Sequence, residues 1–103
     1  MSMLQPDDFA PISTRYKHAG YNAHYKIGDH TISVSYGGMS YGKGFRIRAN
    51  GQADGTFEVC VWNNKTDQTV LAPDGSEVHG WLTLEQVNDI LLHYHARAHT
   101  IVV

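Results

Sequence analysis

The sequence predicts an α+β domain: an antiparallel sheet of four to five strands in a meander, with one C-terminal amphipathic helix packed on one face. Three observations predict it. Two alternating runs, YNAHYKI and HTISVSY, flank a Gly-Asp pair, which is a hairpin pattern. Further alternating runs follow as far as Leu82. The last long segment, residues 84–98, instead repeats its apolar residues at helical spacing. Strands first and a helix last is an α+β order. With 103 residues the chain is expected to form one domain.

Residues 1–13 read as an extended or short helical lead-in. Pro6 with Asp7 and Asp8 suits one helical turn, since Pro tolerates a first-turn position and acids favour the positive end. Phe9 and Ile12 are the side chains expected to tack this arm to the core. Residues 13–19 (STRYKHA) either extend the first strand backwards or form a bulge or turn at Ala19-Gly20.

Residues 21–82 carry the strands. In the hairpin, Gly28 at the first central position suits a type II′ turn. If Ile27 pairs with His30, then Tyr25 faces Ile32, Ala23 faces Val34 and Tyr21 faces Tyr36. All of these apolar residues then lie on one face, with Asn22, His24, Lys26, Thr31, Ser33 and Ser35 on the other. A slip of one residue would destroy the match, so the register is specified. The run Gly37–Gly44 (GGMSYGKG) is a connection. A third strand follows from Phe45 to Ala49, with Arg46 and Arg48 on the polar side. Residues 50–55 (NGQADG) read as a loop. The fourth strand, Thr56 to Trp62, carries apolar residues on both sides, as a central strand does. Residues 63–67 form a turn and residues 68–72 a short fifth strand. Pro73-Asp74-Gly75 is a turn by its own chemistry, and residues 78–82 lead into the helix.

The helix start is marked by Thr83 as N-cap with Gln86 three residues on, a capping box. Leu84, Val87, Ile90, Leu91, Tyr94 and Ala98 share its buried face, while Glu85 and Asp89 lie towards solvent.

Composition narrows the function classes. A net charge of -2 excludes a strongly basic nucleic-acid coat. Cys60 is the single cysteine, so neither an internal disulfide nor a multi-cysteine zinc site is expected. The start MSMLQPDDFAP has no basic region followed by an apolar run, so no signal peptide is expected. No apolar stretch approaches the roughly 20 residues that span a bilayer. The expected location is cytoplasmic, with no membrane partner.

Motifs for catalysis are missing. There is no G-x-S-x-G elbow and no HExxH, and Cys60 lies mid-strand, where a thiol is usually inert. His95 and His99 stand one helical turn apart, which makes only half a metal site; the favoured reading is solvated residues that complement the helix C-terminus. The Lys43 of the glycine run is followed by Gly44 and a strand, not by the Ser/Thr and helix of a phosphate loop. The chain is therefore expected to be non-enzymatic, with no catalytic residue, cofactor or metal.

What the sequence does offer is contact chemistry. Aromatic, Met and cationic side chains are what interface hot spots use. Tyr36, Met39, Tyr41 and Lys43 around the glycine run, with Arg46 and Arg48 of the next strand, are the expected partner-binding residues. Six Lys/Arg fall in residues 1–48, while seven of the ten acids fall in residues 49–103. Lys26, Arg46, Arg48 and His24 would share the face opposite the helix, with Tyr16 and Tyr41 nearby. Such a face suits a single-stranded nucleic acid as the alternative partner. A small-molecule or nucleotide site in the glycine run is a third reading. The apolar tail Ile101-Val102-Val103 would serve a homodimer by strand addition.

The run HTISVSYGGMSYG with its following FEVCVW strand, and the helix entry GWLTLEQVNDIL, together resemble small single-domain orphan proteins carried by bacteriophages and other mobile elements. The likeness covers about Tyr21 to Tyr94. It implies an accessory role without catalysis: binding and inhibiting a host protein or complex, as anti-CRISPR and other anti-defence proteins do. It carries no functional residue over to this chain.

Overall fold

The structure is a computed structural model, which describes residues 4–12, 19–38, 40–47, 49, 53–72 and 74–98. It is the expected α+β arrangement, an antiparallel sheet with one C-terminal helix against it. In chain order the elements are a 3-10 turn (Pro6–Asp8), β1 (Ala10–Pro11), β2 (Tyr21–Ile27), β3 (His30–Tyr36), β4 (Gly44–Ile47), β5 (Ala53–Asn63), β6 (Gln68–Val70), β7 (His79–Thr83) and α1 (Leu84–Ala98).

Seven strands stand where four to five were expected, and the register explains the difference. Val59 of β5 pairs with Val34 on one side and His79 on the other. Thr56 pairs with Gly44 and with Thr83. Val61 pairs with Ile32 and with Val70. β3 and β4 therefore follow one another along one edge of β5, and β6 and β7 along its other edge. Each pair amounts to one long strand interrupted by a loop. Counted that way the sheet is a meander of four long strands, with the short β1 added outside β2.

The β2–β3 hairpin has the expected register throughout, from Tyr21 opposite Tyr36 to Ile27 opposite His30. Gly28 has φ 60°, while Asp29 is not among the positive-φ residues. A positive φ at the first central residue alone is the type II′ pattern, whose twist matches that of the strands. β5 starts earlier than expected: Ala53 to Gly55 belong to the strand rather than to a loop. Their turn-forming composition is overridden by pairing, since Phe45 sits opposite Gly55 and Ile47 opposite Ala53. Local propensity yields to such tertiary context.

Alternation puts Ile32, Val34, Phe57, Val59 and Val61 on one face, and all are buried. Two separate pieces cover that face. α1 lays Val87 and Leu91 on it, both fully buried, with Leu84, Ile90 and Tyr94 at the margins. The capping box forms as expected: the Thr83 N–H donates to Gln86 Oε1 (2.8 Å), and the Gln86 N–H donates to Thr83 Oγ1 (3.1 Å). Two of the orphan donors at the helix start are thereby satisfied.

The N-terminal arm covers the rest. The ring of Phe9 lies 5.0 Å from Tyr36, 5.5 Å from Phe45 and 6.0 Å from Phe57, making a four-ring cluster. Leu4 is buried, and its backbone N–H donates to Asn88 Oδ1 at 2.9 Å, which ties the arm to α1. Ile12, expected to help tack the arm down, is instead 46% exposed. β1 diverts it: the Ile12 N–H donates to the Gly20 carbonyl at 2.9 Å, at the sheet margin. Leu4 supplies the apolar anchor in its place. The possible strand or bulge over residues 13–18, the strand continuation over Arg48, and the tail 99–103 lie outside the described residues. Among the described residues no helix is long and apolar enough to cross a membrane.

Two outcomes test this account. Phe57→Ala should destabilise by about 3–5 kcal/mol, read from denaturant unfolding, because the ring is central to both covering pieces. The Tyr25 hydroxyl donates to Asp8 Oδ2 at 2.8 Å. Burial first, then the hydrogen bond and charge of Asp8, hold its phenol above the ordinary value of 10.0. The unfolded chain then loses that proton before the folded one. Stability should therefore be unaffected below about pH 10 and fall above it. In Tyr25→Phe the alkaline fall should be shallower.

Candidate functional site

The two loops that interrupt the long strands determine what the far end of the sheet presents. The glycine run between β3 and β4 does not hang free. The Gly37 N–H donates to the Gly42 carbonyl (2.9 Å), and the Ser40 N–H donates to the Gly37 carbonyl (3.0 Å). The Lys43 N–H donates to Thr56 Oγ1 at 2.9 Å. Thr56 alternates with the buried Phe57, so its hydroxyl projects from the face away from α1, the open face. The loop thus crosses β5 on that face. Gly42 makes the crossing, because a Cβ there would stand 2.5 Å from the Phe57 Cα and 2.7 Å from the Thr56 carbonyl oxygen. No side chain fits between those backbones.

Across β5 the loop meets β7. The Trp81 N–H donates to the Tyr41 carbonyl at 2.7 Å. Gly80 lies under the Tyr41 ring, where a Cβ would stand 2.9 Å from Tyr41 Cβ. The result is two large aromatic side chains on adjacent, hydrogen-bonded backbone, both more than half exposed: Tyr41 at 53% and Trp81 at 55%. Trp81 also has φ 56°, a left-handed conformation that is a true outlier for a bulky residue. β7 has a register irregularity at this point, between its pairings with Phe57 and Val59.

Beside the aromatic pair is a cleft of about 570 Å³ lined by Lys43, Gly44, Phe45, Arg46, Gly55, Thr56 and Thr83. Lys43 and Arg46 are both exposed. The two glycines contribute only backbone to its wall. An apolar groove of about 300 Å³ lies elsewhere, between α1 and β6, with Val70, Leu71 and Ile90 in its wall.

The expected contact residues divide accordingly. Tyr41, Lys43 and Arg46 come together at this end of the sheet. Tyr36 does not join them as a surface contact: it is half-buried in the four-ring cluster, and Tyr21 stacks on it at 5.2 Å. Its position opposite Tyr21 puts it on the covered face. Burial, and secondarily Tyr21, hold its phenol above the ordinary value. Met39 and Arg48 lie outside the described residues, as does Tyr16. Trp81 was missed by sequence reasoning. It sits in a strand just before a strong helix signal, and nothing in a Gly-Trp pair announces a left-handed tryptophan.

The expected basic stripe is divided by the register. Lys26 stands level with Thr31 and Trp62, whereas Arg46 stands level with Asp54. The length of β5 between those levels is roughly 26 Å at about 3.3 Å per residue. Glu58 projects from the same face between them. At the Lys26 end, His24 meets Trp62 edge-on at 6.0 Å. Cys60 lies between, half-buried, with its thiol pushed up by burial and then by the carboxylates of Glu58 and Glu77. His30 packs on Tyr94 at 4.8 Å across the hairpin end of α1, and His99 is outside the described residues.

No family model, no curated protein and no solved structure matches this chain.

If the left-handed backbone at Trp81 is strained, a residue that tolerates it should relieve the strain. Asparagine does so. Trp81→Asn should unfold at the same denaturant concentration or leave the protein up to about 1 kcal/mol more stable. A substantial loss would mean that the ring is a packing residue.

Proposed function

We propose that this chain is a small non-enzymatic interaction protein that uses the Tyr41–Trp81 platform to occupy a surface on a larger host protein or complex. The observation that carries this reading is the exposed tryptophan in the left-handed region. A backbone held there costs on the order of 1–3 kcal/mol and persists where the surroundings over-determine it. Folding gains little in return from a ring more than half in water. A partner that buries it would gain a great deal, because Trp and Tyr lead the residue types at binding hot spots. The platform is also stiff on its backbone side, tied by the Trp81–Tyr41 hydrogen bond, which limits the ordering entropy lost on association.

The class the sequence resembles, accessory proteins of phages and mobile elements, acts through such surfaces. In that setting the partner is a host complex such as a defence system, and the place of action is the host cytoplasm. The nucleic-acid alternative has less support: among the described residues Lys26 and Arg46 fall at two distant levels with Glu58 between, where a strand-tracking groove needs cations along its path.

The test is capture from lysate of a bacterial host with tagged wild-type protein and tagged Trp81→Asn, each with and without nuclease. A discrete protein retained by the wild type after nuclease treatment and lost by Trp81→Asn is the expected outcome. Tyr41→Ala should behave likewise, with its thermal midpoint nearly unchanged. Equal recovery by all three proteins would sink the platform reading, and recovery that vanishes with nuclease would transfer it to nucleic acid.

A further inference from the structure

We infer that the groove between α1 and β6 is a binding site for a small organic ammonium, an apolar body that carries a primary amine. The site is independent of the Tyr41–Trp81 platform. Val70 of β6 stands opposite Val61, and His79 of β7 opposite Val59. Cross-strand partners share a face, so Val70 and His79 lie on the covered face. α1 buries Val59 and Val61 but leaves this outer line only half covered. The groove follows from that, with Val61 at its base, Val70 and Leu71 on the sheet side, and Ile90 and Tyr94 on the helix side. Leu71 lies past the end of β6 and is more than half exposed, so folding leaves apolar wall in water here. A volume of about 300 Å³ stands at the lower end of small-molecule sites, roughly 300–1,000 Å³. Such sites combine apolar walls with a few polar groups that orient the ligand.

The polar groups set the charge of the ligand. They are Asp89, His79 and His93. With the histidines counted neutral, as in the formal charge at pH 7, Asp89 is the one charge in the wall. Among the described residues its carboxylate is engaged in no hydrogen bond or ion pair. A carboxylate only accepts and an ammonium only donates, so the two are complementary. Neighbouring charges keep that polarity. Hydrogen bonds from Ser76 first, and more weakly the charge of His79, hold the Asp74 carboxyl below its ordinary value. A second acid therefore stands within electrostatic reach of the sheet-side rim. Arg97 follows one turn after His93, with Nη1 3.4 Å from His93 Nε2, and does not line the groove. An anionic ligand would meet Asp89 as a like charge. A stable protein interface needs about 1,000 Å², far more surface than these walls offer, which favours a small molecule.

Amide NMR titrations of the full chain test this with phenethylamine, its uncharged analogue phenethyl alcohol, the anion hydrocinnamate, and a short peptide of leucine and lysine. The proteins compared are wild type, Asp89→Asn, Leu71→Ser and Trp81→Asn, each checked by thermal melt. Asp89 and Leu71 are exposed, so their variants should fold. Phenethylamine should shift the amides of Leu71, Ile90 and His93. It should bind about fivefold more tightly than phenethyl alcohol, the scale of an exposed ion pair, with hydrocinnamate weakest. Asp89→Asn should remove that preference, Leu71→Ser should weaken amine and alcohol alike, and Trp81→Asn should bind as the wild type does. Absence of shifts at those amides, at any concentration the probes reach, overturns the site. Equal binding of amine and alcohol, or a preference that survives Asp89→Asn, overturns the ammonium. Tighter binding of the peptide than of phenethylamine overturns the choice of a small molecule. Loss of binding in folded Trp81→Asn would mean that the amine sits on the platform's aromatic rings, and the groove would then be the wrong place.

Discussion

β5 is paired along both edges, and the rest of the molecule is arranged around that pairing. On one side it carries β3 and then β4, on the other β6 and then β7. Its inward residues Phe57, Val59 and Val61 are buried, so a shift of β5 by one residue would turn its apolar set into water. That constraint fixes the levels at which the neighbouring strands stop and restart. The loop between β3 and β4 crosses β5.

The candidate site is a consequence of that crossing. Gly42 lets the loop backbone rest directly on β5, and the carbonyl of Tyr41 then reaches the N–H of Trp81. The glycine-run loop with β4, the start of β5 and the end of β7 become neighbours although these three segments lie apart in sequence. Such sites, on loops seated over a rigid sheet, combine precise placement with exposure. The covered face has the opposite character. It is closed by two independent pieces, α1 and the N-terminal arm, joined through Leu4 and Asn88. The aromatic cluster under the arm is where Tyr36 belongs, which is why a tyrosine beside the glycine run is structural while one five residues later is exposed.

Charge follows the same logic. The sequence sorts its cations into the first half of the chain, yet the register spreads Lys26 and Arg46 to opposite ends of β5. A sign asymmetry along a chain becomes a surface patch only when the topology stacks those segments at one level. Among the described residues Lys26 and Arg46 are not brought to one level.

The sequence by itself determined the β2–β3 register, the II′ turn, the capping box of α1, its buried face and the α+β order. Each of these rests on interactions between residues close in sequence, or on a strict period that leaves one solution. It also marked Tyr41, Lys43 and Arg46 as contact chemistry from residue type. The interruption of two long strands, the inclusion of residues 53–55 in β5, the burial of Tyr36 and the outward, left-handed Trp81 were decided by the tertiary structure. All four depend on pairing between segments distant in sequence, where the gain from completing a ladder or a core outweighs a local preference of about 1 kcal/mol. Trp81 shows this most clearly, since its own preference opposes the conformation that the fold imposes.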